Sequence, residues 1–131
     1  MFIDASALVA MVAGEEDAPE LVSRLENSRA RLTSPLAVWE ASVAAARILK
    51  RSPKAAEGEV EGLLTLMGIE VVAVPASIAG EAIDAFERYG KGRHKAGLNF
   101  GDCFAYACAR HFVVPLLCKG SDFALTDIEL A

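Results

Sequence analysis

Four acidic residues that lie far apart in the sequence could together form one chemical site. Asp4 follows the first apolar residues, and Glu40 lies in an alanine-rich segment. Asp102 stands among small and apolar residues, and Asp122 follows the last apolar run. Four carboxylates in one cleft would repel one another unless a cation neutralised them, and Mg²⁺ and Mn²⁺ prefer such oxygen ligands. Metal-bound water can attack phosphorus, so these residue types suit metal-assisted hydrolysis of a phosphodiester.

A cluster of basic side chains lies within eight residues of this otherwise acidic chain. The net charge is −5, which argues against a protein that coats nucleic acid through its overall charge. The cluster consists of Arg88, Lys91, Arg93, His94 and Lys95. An acidic pocket can hold cations while a basic segment beside it holds a polyanion, which is the combination that a metal-dependent nuclease needs. We therefore predict that these five side chains contact nucleic-acid phosphate.

Length and composition indicate one globular domain. The chain has 131 residues, of which 53% are apolar and 24% charged, so it has the apolar surface that disordered chains lack. No uncharged run approaches the ~18 residues of a membrane span, and an acidic residue stands at position 4, where a secretory signal would be basic. The odd count of three cysteines does not suggest a disulfide scaffold. We expect a soluble protein in the reducing cytoplasm.

The elements that must position these side chains alternate between short strands and helices. Strands are predicted at 1–3, 31–34, 70–74 and 115–118. Helices are predicted at 5–13, from Asp17 onward, at 36–50, from Ser52 onward, at 76–89 and at 101–112, with a glycine- and lysine-rich loop at 91–100. This alternation predicts an α/β fold in which a parallel sheet carries helices on both faces.

A parallel sheet would bring the four carboxylates to one edge. Ligands of such sheets bind outside the carboxyl ends of the strands. Asp4 and Asp122 follow strands, and Glu40 lies about one and a half turns into the helix after the second strand. Asp102 opens a helix that must run antiparallel to the strands, so its N-terminus returns to the same edge and offers N–H groups to a phosphate.

The residues around these carboxylates resemble PIN-domain ribonucleases of the VapC type, the toxins of bacterial and archaeal type II toxin–antitoxin pairs. The resemblance spans nearly the whole chain, and segment 89–98 looks like one VapC subgroup. One departure is Ala5, where related sequences commonly have Thr. The motifs that carry the resemblance are Phe2-Ile3-Asp4-Ala5-Ser6-Ala7-Leu8, Glu40 after Ser34-Pro35, Leu98-Asn99-Phe100-Gly101-Asp102-Cys103, and Lys119-Gly120-Ser121-Asp122-Phe123 with Thr126-Asp127.

This resemblance implies a single PIN domain over residues 1–131, folded as a three-layer α/β/α sandwich with a central parallel β-sheet. It implies that Mg²⁺ or Mn²⁺ is bound by Asp4, Glu40, Asp102 and Asp122. Ser6 would support a ligand through a hydrogen bond, and Asp127 would be a further acidic contact.

The same resemblance implies an activity and partners. The activity would be metal-dependent endonucleolytic cleavage of cellular RNA, such as structured tRNA, which inhibits translation. A cognate VapB-type antitoxin would block the acidic cleft, and a net charge of −5 suits a basic antitoxin tail. A homodimer in the cytoplasm, with no membrane association, is also implied.

Two other functions compete with this interpretation. A phosphoacceptor receiver domain also gathers acids around Mg²⁺, but it needs an acceptor Asp after its third strand, where this chain has Pro75-Ala76-Ser77. A PIN-like module that has lost catalysis and only binds a partner is the second alternative. Retention of all four carboxylates argues against such a loss.

Two further features of the sequence are interpreted as core packing. Four residues could be considered as ligands of a zinc ion: Cys103, Cys108, His111 and Cys118. The first two cysteines lie about 140° apart around a helix, so we expect small buried hydrophobic residues instead. Trp39 is turned about 100° from the neighbouring carboxylate, and we expect it to face inward.

Overall fold

Four short parallel strands form one central sheet in the computed structural model, which describes residues 1–131. The strands are β1 (Phe2–Ile3), β2 (Leu32–Thr33), β3 (Glu70–Val71) and β4 (Leu116–Leu117), and their order across the sheet is β3-β2-β1-β4. All three pairs of neighbouring strands are parallel. Each strand is shorter than predicted. In the case of β3, the strand lies at the edge of the sheet, and Pro75, which cannot donate a hydrogen bond to a neighbouring strand, soon follows.

Six helices connect and cover the strands. They are α1 (Ala5–Ala13), α2 (Ala18–Glu26), α3 (Pro35–Leu49), α4 (Pro53–Met67), α5 (Ile78–Tyr89) and α6 (Phe100–His111). A 3₁₀ turn at Phe123–Leu125 follows β4. The predicted helices are therefore confirmed to within about two residues at the predicted ends. None of the six is long and apolar enough to cross a membrane.

Alternation along the strands divides the core into two halves. Phe2 and Leu116 pack with α5 and α6 on one face of the sheet, and Ile3 and Leu117 pack with α1 to α4 on the other. All four side chains are fully buried, and burial of each contributes about 1.5–3 kcal/mol. The predicted three-layer α/β/α sandwich with a central parallel sheet is confirmed.

The cysteines lie in the packed interior, as predicted. Cys103 and Cys108 are buried, Cys118 is half-buried, and none forms a disulfide. Burial raises the pKa of each of the three thiols to about 11. They are therefore protonated and weakly reactive at neutral pH.

The prediction for Trp39 is wrong, because this side chain faces solvent and is 69% exposed. The face of α3 that packs against the core is made of small residues, with Ala37, Ala41 and Ala45 all buried. Trp39 follows Ala37 by two residues, so it is turned about 200° away from this face. A large aromatic side chain thus stands on the outside of the fold, next to Glu40.

Candidate active site

A cleft of about 400 Å³ lies at the carboxyl edge of the sheet. Asp4, Glu40 and Asp102 all line it, although they are far apart in the sequence. Parallel strands end at the same edge, and helix α6 begins there, as the sequence predicts. Asp122 is not among the lining residues.

Asp4 is held where β1 ends and α1 begins. Its carboxylate oxygen Oδ2 accepts hydrogen bonds from the backbone N–H of Ser6 (2.9 Å) and from the Ser6 hydroxyl (2.5 Å), so it caps the helix. The Ser6 hydroxyl oxygen also accepts a bond from the backbone N–H of Lys119, at 3.0 Å. Asp4 is almost completely buried, and this burial raises the pKa of its carboxyl, while the bonds from Ser6 act in the opposite direction.

Asp102 is oriented by Asn99 at the start of α6. The helix begins at Phe100, one residue earlier than predicted, because Asn99 caps it. The Asn99 side-chain oxygen accepts from the Asp102 N–H (2.9 Å), and an Asp102 carboxylate oxygen accepts from the Asn99 N–H (2.8 Å). This reciprocal pair satisfies two helix N–H groups. Burial is the main cause that raises the pKa of Asp102, and the charges of Asp4 and Asp122 raise it further.

Glu40 lies on α3 directly against the first turn of α6. Burial raises the pKa of its carboxyl, and the charges of Asp4 and Asp102 add to this effect. A Cβ atom built on Gly101 would lie 2.1 Å from Glu40 Oε2 and 2.9 Å from its Cδ. Only glycine at position 101 therefore leaves room for the carboxylate in this position.

Asp122 lies near the cleft without lining it. It is exposed and immediately precedes the 3₁₀ turn. Its charge contributes to the raised pKa of Asp102 and of Cys118. The fourth predicted carboxylate therefore acts on the site electrostatically from its edge.

The donor set of the cleft suits a hard divalent cation. Its acidic groups offer carboxylate oxygens, and the mutual repulsion among Asp4, Glu40 and Asp102 would be relieved by a positive ion. In the observed conformation no three His, Cys, Asp or Glu side chains converge closely enough to ligate one ion. Unneutralised carboxylates repel one another, so such separation is expected before a cation binds.

Lys119 is a cleft residue whose role the sequence does not predict. It is the only Lys or Arg among the lining residues. Its ammonium group forms an ion pair with Glu15 and lies 3.4 Å from Asp17 Oδ1. Nothing in the sequence indicates this pairing, because the partners are about a hundred residues apart.

Asp127 belongs to a different cluster from the four carboxylates. It accepts hydrogen bonds from Arg88 (2.8 Å) and from the Tyr106 hydroxyl, and Arg110 lies 3.5 Å away. These bonds, led by the one from Tyr106, lower the pKa of Asp127 to about 2. The structure thus places Asp127 in contacts that tie the C-terminal segment to α5 and α6, whereas the sequence predicts a contact with the metal site.

Some side chains of the predicted basic segment are engaged in hydrogen bonds or ion pairs, and others are not. Arg88 is held by Asp127 and by the Tyr89 hydroxyl (2.6 Å). The Arg93 guanidinium donates to the Glu87 carbonyl (3.3 Å), whereas Lys91 and Lys95 form no ion pair. His94 is exposed, and its Nδ1 accepts from the backbone N–H of Ala96 at 3.1 Å.

Asp127→Asn is expected to lower the free energy of unfolding by less than about 1 kcal/mol, since the cluster is exposed and screened by solvent. The folded-state pKa of Asp127 lies below its ordinary value of 3.8, so its contribution is complete above pH 3.8. It is lost as the pH falls toward about 2. Urea denaturation of both proteins at pH 7, 4.5 and 2.5 measures this; equal stability at pH 7 would contradict the stabilising role.

Comparison with known proteins places this chain in a family. A profile of the PIN domain matches residues 1–129. The chain belongs to the PIN-domain family. Within it, the chain is similar to "VapC ribonuclease Mb0640" of Mycobacterium bovis, with 42% identity over 128 residues that make up 98% of this chain and 95% of the relative. "Ribonuclease VapC" of Mycolicibacterium smegmatis is 41% identical over 98% of this chain and 97% of its own length.

A solved structure shows the same fold. The crystal structure of VapC20 from Mycobacterium tuberculosis, described as a Sarcin-Ricin loop cleaving toxin, matches with a TM-score of 0.76. The match covers 99% of this chain and 97% of that chain at 18% sequence identity. The predicted resemblance to VapC PIN domains is therefore confirmed. The alternative interpretation as a receiver domain is excluded.

Proposed function

We propose that this PIN-domain chain is a metal-dependent endoribonuclease that acts as the toxin of a VapBC-type toxin–antitoxin pair. The observation that carries the proposal is the cleft where Asp4, Glu40 and Asp102 meet at the carboxyl edge of the sheet. The relatives named as VapC ribonucleases, which match 98% of this chain at about 40% identity, support the same activity.

Asp4, Glu40, Asp102 and Asp122 would hold Mg²⁺ or Mn²⁺. When bound, such an ion supplies an acidified water and neutralises charge on the phosphodiester. The chain's own residues prepare the site: Ser6 fixes Asp4 through two hydrogen bonds, and Asn99 fixes Asp102 through its backbone N–H. Asp4 is buried, and Glu40 and Asp102 are partly buried, so water is excluded from part of the cleft.

The basic side chains of segment 88–95 would bind RNA phosphates. Lys91 and Lys95 are exposed and unpaired, so they are the most available to a polyanion. Arg93 and His94 are exposed as well, whereas Arg88 would first have to leave Asp127. Arg110, which lies outside this segment, contacts Asp127 beside Arg88 and extends the positive surface.

Structured cellular RNA, such as tRNA, is the proposed substrate, and its cleavage would inhibit translation. VapC20, which shares this fold, is described as cleaving the Sarcin-Ricin loop. Protein recognition of RNA favours loops, where bases are unpaired and can be splayed out. A structured RNA with an accessible loop therefore fits a compact nuclease of this kind.

A VapB-type antitoxin and a second copy of the chain are the proposed partners, in the cytoplasm. The acidic cleft suits an antitoxin that inserts a basic side chain. A groove of about 440 Å³ between α5 and α6, lined only by apolar residues that include Ile83, Phe86 and Phe104, supports a homodimer. Apolar patches of this sort commonly mark protein–protein contacts.

The test is incubation of the purified, antitoxin-free protein with total cellular RNA in Mg²⁺, Mn²⁺ or EDTA. Asp102→Asn is the matched control, because it keeps the size and shape of the side chain. Discrete fragments that require metal and are absent with Asp102→Asn are expected. Intact RNA in every condition with a folded protein would favour the silent binding module, and cleavage unaffected by EDTA would refute the metal mechanism.

A further inference from the structure

Two exposed aromatic side chains line a second cavity next to the acidic cleft. Trp39 on α3 is 69% exposed, and Phe100 at the start of α6 is 68% exposed. The cavity has a volume of about 250 Å³. Its lining residues are Leu36, Trp39, Glu40, Asn99, Phe100 and Gly101.

This cavity shares part of its wall with the cleft. Glu40 and Asn99 line both of them. A ligand with one group at the carboxylates can therefore place its next group against the aromatic rings. The volume is smaller than the roughly 300–1,000 Å³ of sites for drug-sized ligands, which suits a fragment the size of one nucleobase.

The walls of the cavity offer stacking surfaces and a hydrogen-bond donor. The Phe100 ring packs against Phe104, with ring centroids 4.8 Å apart, which restrains its orientation. Asn99 uses its side-chain oxygen to accept from Asp102, and its side-chain NH₂ group has no partner. Aromatic faces together with an amide donor are the groups that proteins use to bind unpaired bases.

The lining also argues against other occupants. No Lys or Arg lines the cavity, so it does not suit a phosphate group. A second protein chain seated over it would have to supply a cation for the Glu40 carboxylate, because burying that charge unpaired is costly. A neutral, planar and partly polar group fits the lining better than either.

We propose that this cavity binds one unpaired base of the RNA, next to the scissile phosphate, by stacking it on Trp39 and Phe100. The proposal rests on the proposed ribonuclease function and adds to it a base-binding subsite. Base–aromatic stacking is sequence-tolerant, so the subsite would demand an unpaired base and would leave base identity to Asn99.

Trp39 is the only tryptophan, so its fluorescence reports on the subsite directly. The protein is titrated in EDTA, where a metal-dependent nuclease does not cleave, with a short oligouridylate and with an abasic ribose-phosphate oligomer of equal length. Saturable quenching of Trp39 emission by the oligouridylate, without quenching by the abasic oligomer, is expected.

Variants test the same contact through affinity. Trp39→Ala is expected to weaken oligouridylate binding roughly tenfold, whereas Trp39→Phe keeps most of the affinity. Phe100→Ala is expected to weaken binding as well, but Phe100 also lines the apolar groove between α5 and α6, so the oligomeric state of this variant is measured alongside. Leu66→Ala removes another exposed apolar side chain, near the C-terminal end of α4, that does not line the cavity. It is the matched control and leaves binding unchanged.

Three outcomes would overturn the subsite: oligouridylate binding that leaves Trp39 emission unchanged, wild-type affinity in Trp39→Ala, or a change of oligomeric state in Trp39→Ala by light scattering. The last result would assign the aromatic pair to a contact between copies. Metal-dependent RNA cleavage by the same preparation separates the two proposals, because cleavage without quenching refutes the subsite alone.

Discussion

Asp4→Asn is expected to abolish RNA cleavage and yet make the metal-free protein more stable. Asp4 is 4% exposed, and burial of its charge is the main cause of its raised pKa. Asparagine is neutral, keeps an oxygen that can accept from Ser6, and is an equally good helix cap. The free energy of unfolding should therefore rise by about 1 kcal/mol, while loss of a ligand lowers cleavage at least ~100-fold.

Thermal unfolding with and without Mn²⁺ measures both consequences. A ligand that binds only the folded state stabilises it, so Mn²⁺ should raise the Tm of the wild type and leave that of Asp4→Asn unchanged. Asp84→Asn, on the exposed face of α5, is the matched control and should behave as wild type. A metal-free Asp4→Asn protein that is less stable than wild type would show that the buried charge is fully compensated.

Gly101→Ala is expected to reduce metal affinity and RNA cleavage by ~10–100-fold without loss of stability. The added Cβ would lie 2.1 Å from Glu40 Oε2, so the carboxylate must move away. The backbone itself accepts alanine, because Gly101 lies inside α6 and has no positive φ. Alanine is favoured over glycine in helices by at most about 1 kcal/mol, so stability should be unchanged or slightly higher.

Calorimetry of Mn²⁺ binding, together with thermal unfolding, separates this positioning effect from a folding defect. Gly62→Ala on α4 is the matched control, because nothing lies within 4 Å of its added Cβ. Shortening the acid relieves the clash, so Glu40→Asp combined with Gly101→Ala should bind metal no worse than Glu40→Asp alone. Additive losses in the double variant, or wild-type affinity in Gly101→Ala, would contradict the role of Gly101.

The convergence of three carboxylates could be predicted because it follows from topology. Asp4 follows a strand, Glu40 lies early in a helix, and Asp102 lies at the start of another. In a parallel α/β sheet all three positions meet at the carboxyl edge, whatever the details of packing. The family resemblance then indicated which acids to choose among the 18 in the chain.

The orientation of Trp39 could not be predicted, because α3 is rich in alanine on several sides. An apolar stripe identifies the buried face only when the other residues are polar. Here the buried face consists of small residues such as Ala41 and Ala45, while Trp39 is exposed. The usual expectation that large aromatic residues lie inside the fold therefore places Trp39 on the buried face of α3, which is wrong.

The ion-pair partners of individual charged residues could not be predicted from the sequence either. Arg88 and Asp127 are 39 residues apart, and their pairing depends on how the C-terminal segment crosses α5 and α6. The close approach of Glu40 to Gly101 likewise depends on how two helices pack. Such contacts are set by tertiary packing, so neither spacing nor periodicity encodes them.

The charge balance of the cleft makes metal and RNA binding thermodynamically coupled. Asp4, Glu15, Glu40 and Asp102 line it against the single cation of Lys119, so the metal-free cleft attracts a polyanion less than the same cleft with a bound cation. A divalent ion that reduces this negative charge raises the affinity for RNA, and by reciprocity RNA raises the affinity for the ion by the same factor. The free Mg²⁺ concentration would then set the RNA concentration at which the cleft fills.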